Sequence, residues 1–405
     1  MWNYTWRTGV DNDGEPIHNT MYDRLYINAA KELHEFSYYT FMDHWGKATP
    51  SFPPRAGMRG YLEARYKKYG EPSWIKFKTV VKNVTFDEGT QKFTVTTRNY
   101  SEPGVKVETF DNVICCTGHF SFPNNPILPC YDDFRGTIIH SHDQRTFHNY
   151  KDKTVMVVGT SFSAEDIASI AWKHGAKKIV CSYRGDPMTF KWPDCFETHP
   201  LPNKIVNKTV YFPDGGEVEV DYIVICAGFH LTYPFMEDKL RLTSPSAIIP
   251  DMLYKGVSLM NNNKCFYVGM QAQVYSFNMF DVQAAYVRDV IQGKLTLPGK
   301  QEQEEWLAKW KARQDKFAGY QDLCDCQGDY ITELFGECQY KKPWDTKETA
   351  KIFSQWVDAK VANIMTFRDQ QFTSVHTGVQ SLAVKTPWLE NFEDTEDHFL
   401  SNGVE

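Results

Sequence analysis

Apolar positions along the chain recur in two rhythms. From Tyr61 to Tyr69, the side chains of Tyr61, Leu62, Arg65, Tyr66 and Tyr69 fall at helical spacing and predict a helix. Trp74 to Val84 and Phe93 to Thr97 alternate instead, with turn-forming Asp87, Glu88 and Gly89 between them, and predict a pair of strands. Two runs are continuous: Asn112 to Cys116, ending in Thr117 and Gly118, and Tyr222 to Cys226, ending in Ala227 and Gly228. Unbroken runs of this kind suit strands buried on both faces of a parallel sheet, one for each of two nucleotide-binding units. Cys265 to Gly269 reads as a further strand before a helix from Phe280, and Glu302 to Phe317 as another helix. Residues 1–30 are polar and turn-rich. Beyond Phe317 the chain reads as an irregular tail that ends in the acidic stretch Glu393 to Glu405.

The sharpest local pattern lies at the centre. Lys153 to Val158 predicts a strand, Gly159 to Asp166 opens a helix that runs to about His174, and Lys178 to Tyr183 predicts a second strand. A strand that turns through glycine into a helix presents backbone N–H groups and the positive end of the helix dipole to a pyrophosphate. The usual spacing is G-x-G-x-x-G. Here Ser161 stands for the second glycine and Ala164 for the third, one able to donate a hydroxyl hydrogen bond and the other small enough for close packing. About 20 residues on, where an NAD enzyme places an acid for the ribose 2′-hydroxyl, the second strand ends in Tyr183, Arg184, Gly185. A guanidinium fork there pairs with a 2′-phosphate, which favours NADPH over NADH. A surface arginine closing a strand is the plainer alternative.

Composition narrows the classes. The 405 residues suggest about two to three domains. With 42% hydrophobic and 23% charged residues, the chain has material for sizeable cores and no signature of disorder. A net charge of −7 without a dense Lys/Arg block argues against nucleic acid or an anionic membrane as partner. No apolar run is long enough to span a membrane, and the N-terminal stretch lacks the features of a secretion leader. Ten scattered cysteines without a CxxC pair fit a reducing cytoplasm and disfavour a zinc site or a dithiol reductase.

At Phe134, Arg135, Gly136, Thr137, Ile138, Ile139, His140 the sequence resembles the F-x-G-x-x-x-H identifying sequence of flavin-containing monooxygenases, placed just before the second dinucleotide turn as in that family. The segments WNYTWRTG, INAAKE, CCTGHFS, GTSFSAEDI, YKGV, YVGMQ, YSFNMFD and IMTFRD are similar in the same order to the bacterial-type trimethylamine monooxygenases within it. Three departures stand out. The family opens with a strand, a G-x-G-x-x-G turn and an acid for the ADP half of FAD, and this chain begins at Met1 and Trp2, past that unit. Gln144 stands four residues after His140 where the family usually has an aromatic, and Phe162 stands where the nearest members have tyrosine.

The resemblance implies an α/β fold of two Rossmann-like dinucleotide-binding domains, with an NADP domain (125–233) inserted into an N-terminally truncated FAD domain (1–124 and 234–405). It implies FAD and NADPH as cofactors, O₂ as co-substrate, a small amine or sulfide as substrate, a cytoplasmic location and a homodimer. The activity implied is oxygenation of nitrogen or sulfur, with trimethylamine converted to its N-oxide as the leading case. Since the hard chemistry belongs to the flavin, few acid or base side chains are needed.

By the same resemblance Asn28 matches the active-site asparagine, whose amide hydrogen-bonds near the reacting oxygen. An asparagine in a left-handed turn is the alternative. Trp2, His18 and Tyr26 match positions that line flavin or NADP, and Val81 matches a strand position whose backbone meets the adenine of FAD. Gln271 matches a loop whose N–H groups meet the flavin ring edge. Thr160, Ser161, Phe162 and Ser163 match the NADP phosphate turn, Arg184 the 2′-phosphate partner, and Arg368 a further NADP contact, with a salt bridge as its alternative. His140 reads as a structural histidine. The rival readings are a truncated, non-catalytic NADP-binding remnant without flavin, and a Baeyer–Villiger-type oxygenase, whose longer signature Gln144 does not match.

Overall fold

The computed structural model describes residues 2–70, 72–126, 128–244, 247–384 and 393–401. In chain order, the elements that frame the site begin with helix α1 (Arg55–Tyr69) and strands β1 (Thr79–Asp87), β2 (Lys92–Asn99), β3 (Lys106–Phe110) and β4 (Val113–Cys115). Next come β5 (Thr137–His140), β6 (Thr154–Val158), helix α2 (Phe162–Lys173), β7 (Lys178–Tyr183), β8 (Phe196–Pro200) and β9 (Tyr222–Ile225). The C-terminal half adds β10 (Leu253–Tyr254), β11 (Ser258–Leu259) and β12 (Cys265–Tyr267). Helices α3 (Phe277–Ile291), α4 (Lys300–Gln314), α5 (Tyr320–Glu337) and α6 (Thr346–Ala362) follow.

Strands β5 to β9 form one parallel sheet in the order β5-β9-β6-β7-β8. The apolar run at Tyr222 is an interior strand paired on both sides, and its Ile223 and Val224 are fully buried, as an unbroken run predicts. Helix α2 covers the sheet with Ala164, Ile167, Ala168 and Ala171, the three alanines small enough to let the helix axis approach closely. β1, β2 and β3 form an antiparallel meander, bulged between Val81 and Asn83, that buries Val84, Phe86 and Phe93.

The four-stranded sheet, ordered β10-β11-β12-β4, corrects the reading of the other apolar run. Among the described residues β4 pairs only with β12, so it is an edge strand, and Ile114 is 47% exposed. An apolar run records that a strand packs somewhere, not that both its neighbours are present.

Two further expectations fail in detail. The first predicted strand starts at Thr79, and Pro72–Trp74 forms a short 3₁₀ turn with Trp74 left 83% exposed. Alternation without a partner strand has nothing to bury. Much of the expected irregular tail is helical among the described residues, while 385–392 and 402–405 lie outside them: α5 and α6 pack with α3 into the largest core through Tyr330, Ile331, Leu334, Ile352, Phe353 and Trp356. Gln327, Gly328, Thr346 and Thr349 also face that core, which hides its helical period in the sequence. The helices expected at Glu302 and Phe280 begin earlier, at Lys300 and Phe277.

Candidate functional site

The turn between β6 and α2 shows why glycine stands at 159. Its φ is +136°, and a Cβ there would lie 2.5 Å from the Cys226 carbonyl oxygen. No larger residue fits without moving β9. The Gly159 N–H donates to the Ser182 carbonyl at 2.9 Å and the Cys226 N–H to the Val158 carbonyl at 2.8 Å, so the turn is strapped between β7 and β9. Ser161 precedes the helix, and its carbonyl accepts from the N–H groups of Ala164 (2.8 Å) and Glu165 (3.1 Å). No side chain caps this end of the helix. Thr160, Ser161 and Phe162 are exposed and Ser163 is half-buried, so the first turn opens to solvent as an anion cradle. Arg184 is exposed two residues beyond Ser182, at the same end of the sheet. The structure thus brings Thr160, Ser161, Phe162, Ser163 and Arg184 together.

Arg368 stands apart from them. It is 5% exposed, ion-paired with Asp166 of α2, and its Nε donates to the Ile27 carbonyl at 3.1 Å. Tyr22 donates to the same Asp166. Next to this pair, Lys360 at the last turn of α6 is buried against Glu165. Burial pushes the Glu165 carboxyl up from its ordinary range, and the Lys360 ammonium opposes that push. Glu165 in the first turn of α2 and Asp166 directly after it are therefore both held by cations from the C-terminal segment. The sequence shows the acids but not their partners.

Asn28 is exposed on a loop whose ends are fixed. The Ile27 N–H donates to Pro53 (3.1 Å) and the Lys31 N–H to Ser51 (2.8 Å), while Ala30 is fully buried. Among the described residues its amide has no hydrogen-bond partner, which leaves it available to a ligand. Tyr26, half-buried, donates to the Glu393 carbonyl at 2.6 Å. Trp2 packs edge-on to Phe277 at 6.2 Å between ring centroids, and His18 edge-on to Phe122 at 5.9 Å. Val81 is exposed beside the bulge in β1. Gln271 is fully buried, and its side-chain amide is used internally, donating to the Ile248 carbonyl at 2.7 Å and accepting from Gln283. Its side chain is therefore committed inside the fold.

The signature at Phe134 has a packing explanation. A Cβ on Gly136 would lie 2.5 Å from the Asp221 carbonyl oxygen and closer still to the Phe134 ring. His140 is buried, accepts the His142 N–H at 3.0 Å, and burial lowers its pKa to about 4, so it is neutral near pH 7. Gln144 is equally buried, bonded to the Thr146 carbonyl and the Tyr150 hydroxyl. Gly136 precedes the edge strand β5, His140 ends it, and Gln144 lies in the segment that follows.

These residues fit two nucleotide cofactors unequally. The open turn at Gly159 and the exposed Arg184 suit the pyrophosphate and 2′-phosphate of NADPH. Toward FAD the chain offers the free Asn28 amide, the backbone around Gln271 and the open edge of β4. Among the described residues, no group of three or more His, Cys, Asp or Glu side chains has metal-binding geometry, and no helix is long and apolar enough to cross a membrane.

Comparison with known proteins bears on this arrangement. Residues 4–191 and 198–343 match the profile of the flavin-binding monooxygenase-like proteins. The trimethylamine monooxygenase of Methylocella silvestris is 42% identical over 399 residues, covering 98% of this chain and 88% of that protein. The trimethylamine monooxygenase of Roseovarius nubinhibens is 42% identical over 405 residues, covering 99% and 90%. The crystal structure of Tmm from Pelagibacter sp. strain HTCC7211 superposes with a TM-score of 0.95 at 37% identity, over 98% of this chain and 90% of that one. An anion cradle beside an exposed arginine, a parallel five-stranded sheet beside a mixed four-stranded one, and this breadth of likeness lead to one assignment: the chain belongs to the flavin-binding monooxygenase-like family.

Proposed function

We propose that the chain is an NADPH- and O₂-dependent flavin monooxygenase that converts trimethylamine to trimethylamine N-oxide. The observation that carries the reading is the uncapped helix N-terminus at Gly159 to Ser163 with Arg184 exposed beside it, a cradle for a phosphorylated dinucleotide. The trimethylamine monooxygenases that match nearly the whole chain support the choice of substrate. Bound FAD supplies the oxygen-transfer chemistry, drawing electrons from NADPH.

The chain's own groups bind and orient. N–H groups from Thr160 to Ser163 hold the pyrophosphate of NADPH, and Arg184 pairs with its 2′-phosphate. Asn28 hydrogen-bonds at the reacting end of the cleft, and backbone near Gln271 meets the flavin ring edge. Trp2, His18 and Tyr26 line the ligands, and the strand backbone at Val81 faces the FAD adenine. The NADP unit comprises residues 125–233, supported by a parallel sheet whose strands lie between Thr137 and Ile225. The remainder, 1–124 and 234–405, is the FAD unit. A cytoplasmic homodimer completes the proposal, with no nucleic acid or membrane partner.

The test is a product assay with NADPH, O₂ and FAD on three substrates: trimethylamine, a dialkyl sulfide and a cyclic ketone. The proposal requires trimethylamine N-oxide as the main product. An ester from the ketone as main product, or NADPH oxidation without any oxygenated product, contradicts it.

A further inference from the structure

The first turn of α2 presents a physical conflict. Acidic side chains at a helix N-terminus stabilise an empty helix, because they sit against its positive end. At a pyrophosphate site the same charges repel the ligand across a poorly screened distance. Glu165 lies in this position, Asp166 directly follows it, and both are buried.

Glu165 is met by Lys360, and the surroundings of that lysine are unusual. Its ammonium lies 4.8 Å from the centroid of the Phe162 ring and 4.8 Å from that of Trp356, with Phe190 at 5.5 Å and Phe367 at 5.9 Å. Phe162 is itself a residue of the phosphate turn and packs against Trp356 at 5.9 Å. Lys360 therefore touches the turn twice, through the Glu165 charge and through the Phe162 ring. An ion pair this deeply buried is a poor way merely to glue α6 to α2, since an apolar residue of similar length holds such an interface as well or better. The charge needs a reason beyond packing, and the phosphate cradle one turn away supplies it.

We infer that Lys360 is a positioning residue for NADPH: it cancels the Glu165 charge at the mouth of the phosphate turn and holds Phe162 in place, and so sets dinucleotide affinity without touching the ligand. The inference rests on the reading of this turn as the NADPH site. It assigns the C-terminal helix α6, some 195 residues away in sequence from Glu165, a part in cofactor binding.

The test is a charge-cancellation cycle read by direct NADPH binding to the full chain, using titration calorimetry or quenching of protein fluorescence. Lys360→Met removes the cation, keeps the stem, and leaves Glu165 uncompensated. The dissociation constant should rise about tenfold, by the same factor for NADH, because the pyrophosphate is common to both. Lys360→Met with Glu165→Gln removes both charges and should bind within about threefold of the parent. Glu165→Gln alone should bind NADPH as tightly as the parent or more so. If Lys360→Met fails to fold, the single Glu165→Gln variant decides, and weakened binding in it overturns the inference. Unchanged affinity in Lys360→Met, or a double variant as weak as Lys360→Met, overturns it as well. Absence of NADPH binding by the parent chain overturns the nucleotide-site reading itself, an outcome distinct from the others.

Discussion

Arg184 and Arg368 carry the same charge, and the fold gives them opposite surroundings. Arg184 is exposed at the end of β7, while Arg368 is buried between Asp166 and the Ile27 carbonyl. Replacing Arg184 with alanine should raise the KM for NADPH at least about tenfold and leave that for NADH nearly unchanged, because a guanidinium on a 2′-phosphate contributes a charge-assisted fork. Equal changes for the two cofactors, measured by steady-state kinetics, would refute the 2′-phosphate assignment. Asn28→Ala should remove N-oxide formation while NADPH binding measured by titration persists; a normal product yield would rule Asn28 out. Arg184 could be singled out from the sequence because it sits at a fixed offset in the βαβ motif, and Asn28 because its segment resembles the family's. The burial of Arg368 could not, because its partner Asp166 lies 202 residues away.

Among the elements, the turn at Gly159 depends on one atom of clearance. Gly159→Ala introduces a Cβ at a φ of +136° and 2.5 Å from a backbone oxygen, and should lower stability by about 2 kcal/mol or more and abolish NADPH binding. A melting temperature and affinity equal to the parent's would show that the turn is more pliant than its geometry implies. A second prediction concerns the connector that carries Glu35. Its buried carboxyl accepts the Phe41 N–H at 2.8 Å and contacts the Ser374 hydroxyl at 2.6 Å, with Glu32 and Lys31 nearby. Burial raises its pKa to about 7. The folded chain keeps a proton there that the unfolded chain releases above about 4.5, so this group's contribution is full at low pH and is lost as pH climbs from about 4.5 to 7. The loss amounts to about 3 kcal/mol. Glu35→Gln, which offers the same carbonyl and a permanent donor, should flatten the decline in melting temperature between pH 5 and 8; an identical decline in parent and variant would exclude Glu35 as its source. The βαβ element was legible almost to the residue, because strand, glycine and helix follow one another without interruption. Helices α5 and α6 were not, because Cys324, Gln327, Gly328 and Thr349 occupy core-facing positions that composition alone marks as polar or neutral.

The molecule as a whole combines a parallel five-stranded sheet, a mixed four-stranded sheet and a layer of C-terminal helices. The Tyr222 run became an interior strand of one sheet and the Val113 run the edge of the other, although the two look alike in sequence. Which neighbours a strand has is a property of the assembled sheet, so local pattern gave three strands of the five-stranded sheet but neither Thr137–His140 nor Phe196–Pro200, and not the edge position of the Val113 run. The same layer ties the Asn28 loop to the phosphate turn through Arg368. Two dinucleotides facing each other across that tie form the centre of this account. The most direct test is to titrate the purified chain with FAD and then NADPH, following visible flavin absorption and nucleotide binding together. The account predicts that each saturates at about one equivalent per chain and that bound FAD loses its absorption when NADPH is added without oxygen. Saturable NADPH binding with no FAD retained at any concentration would contradict it.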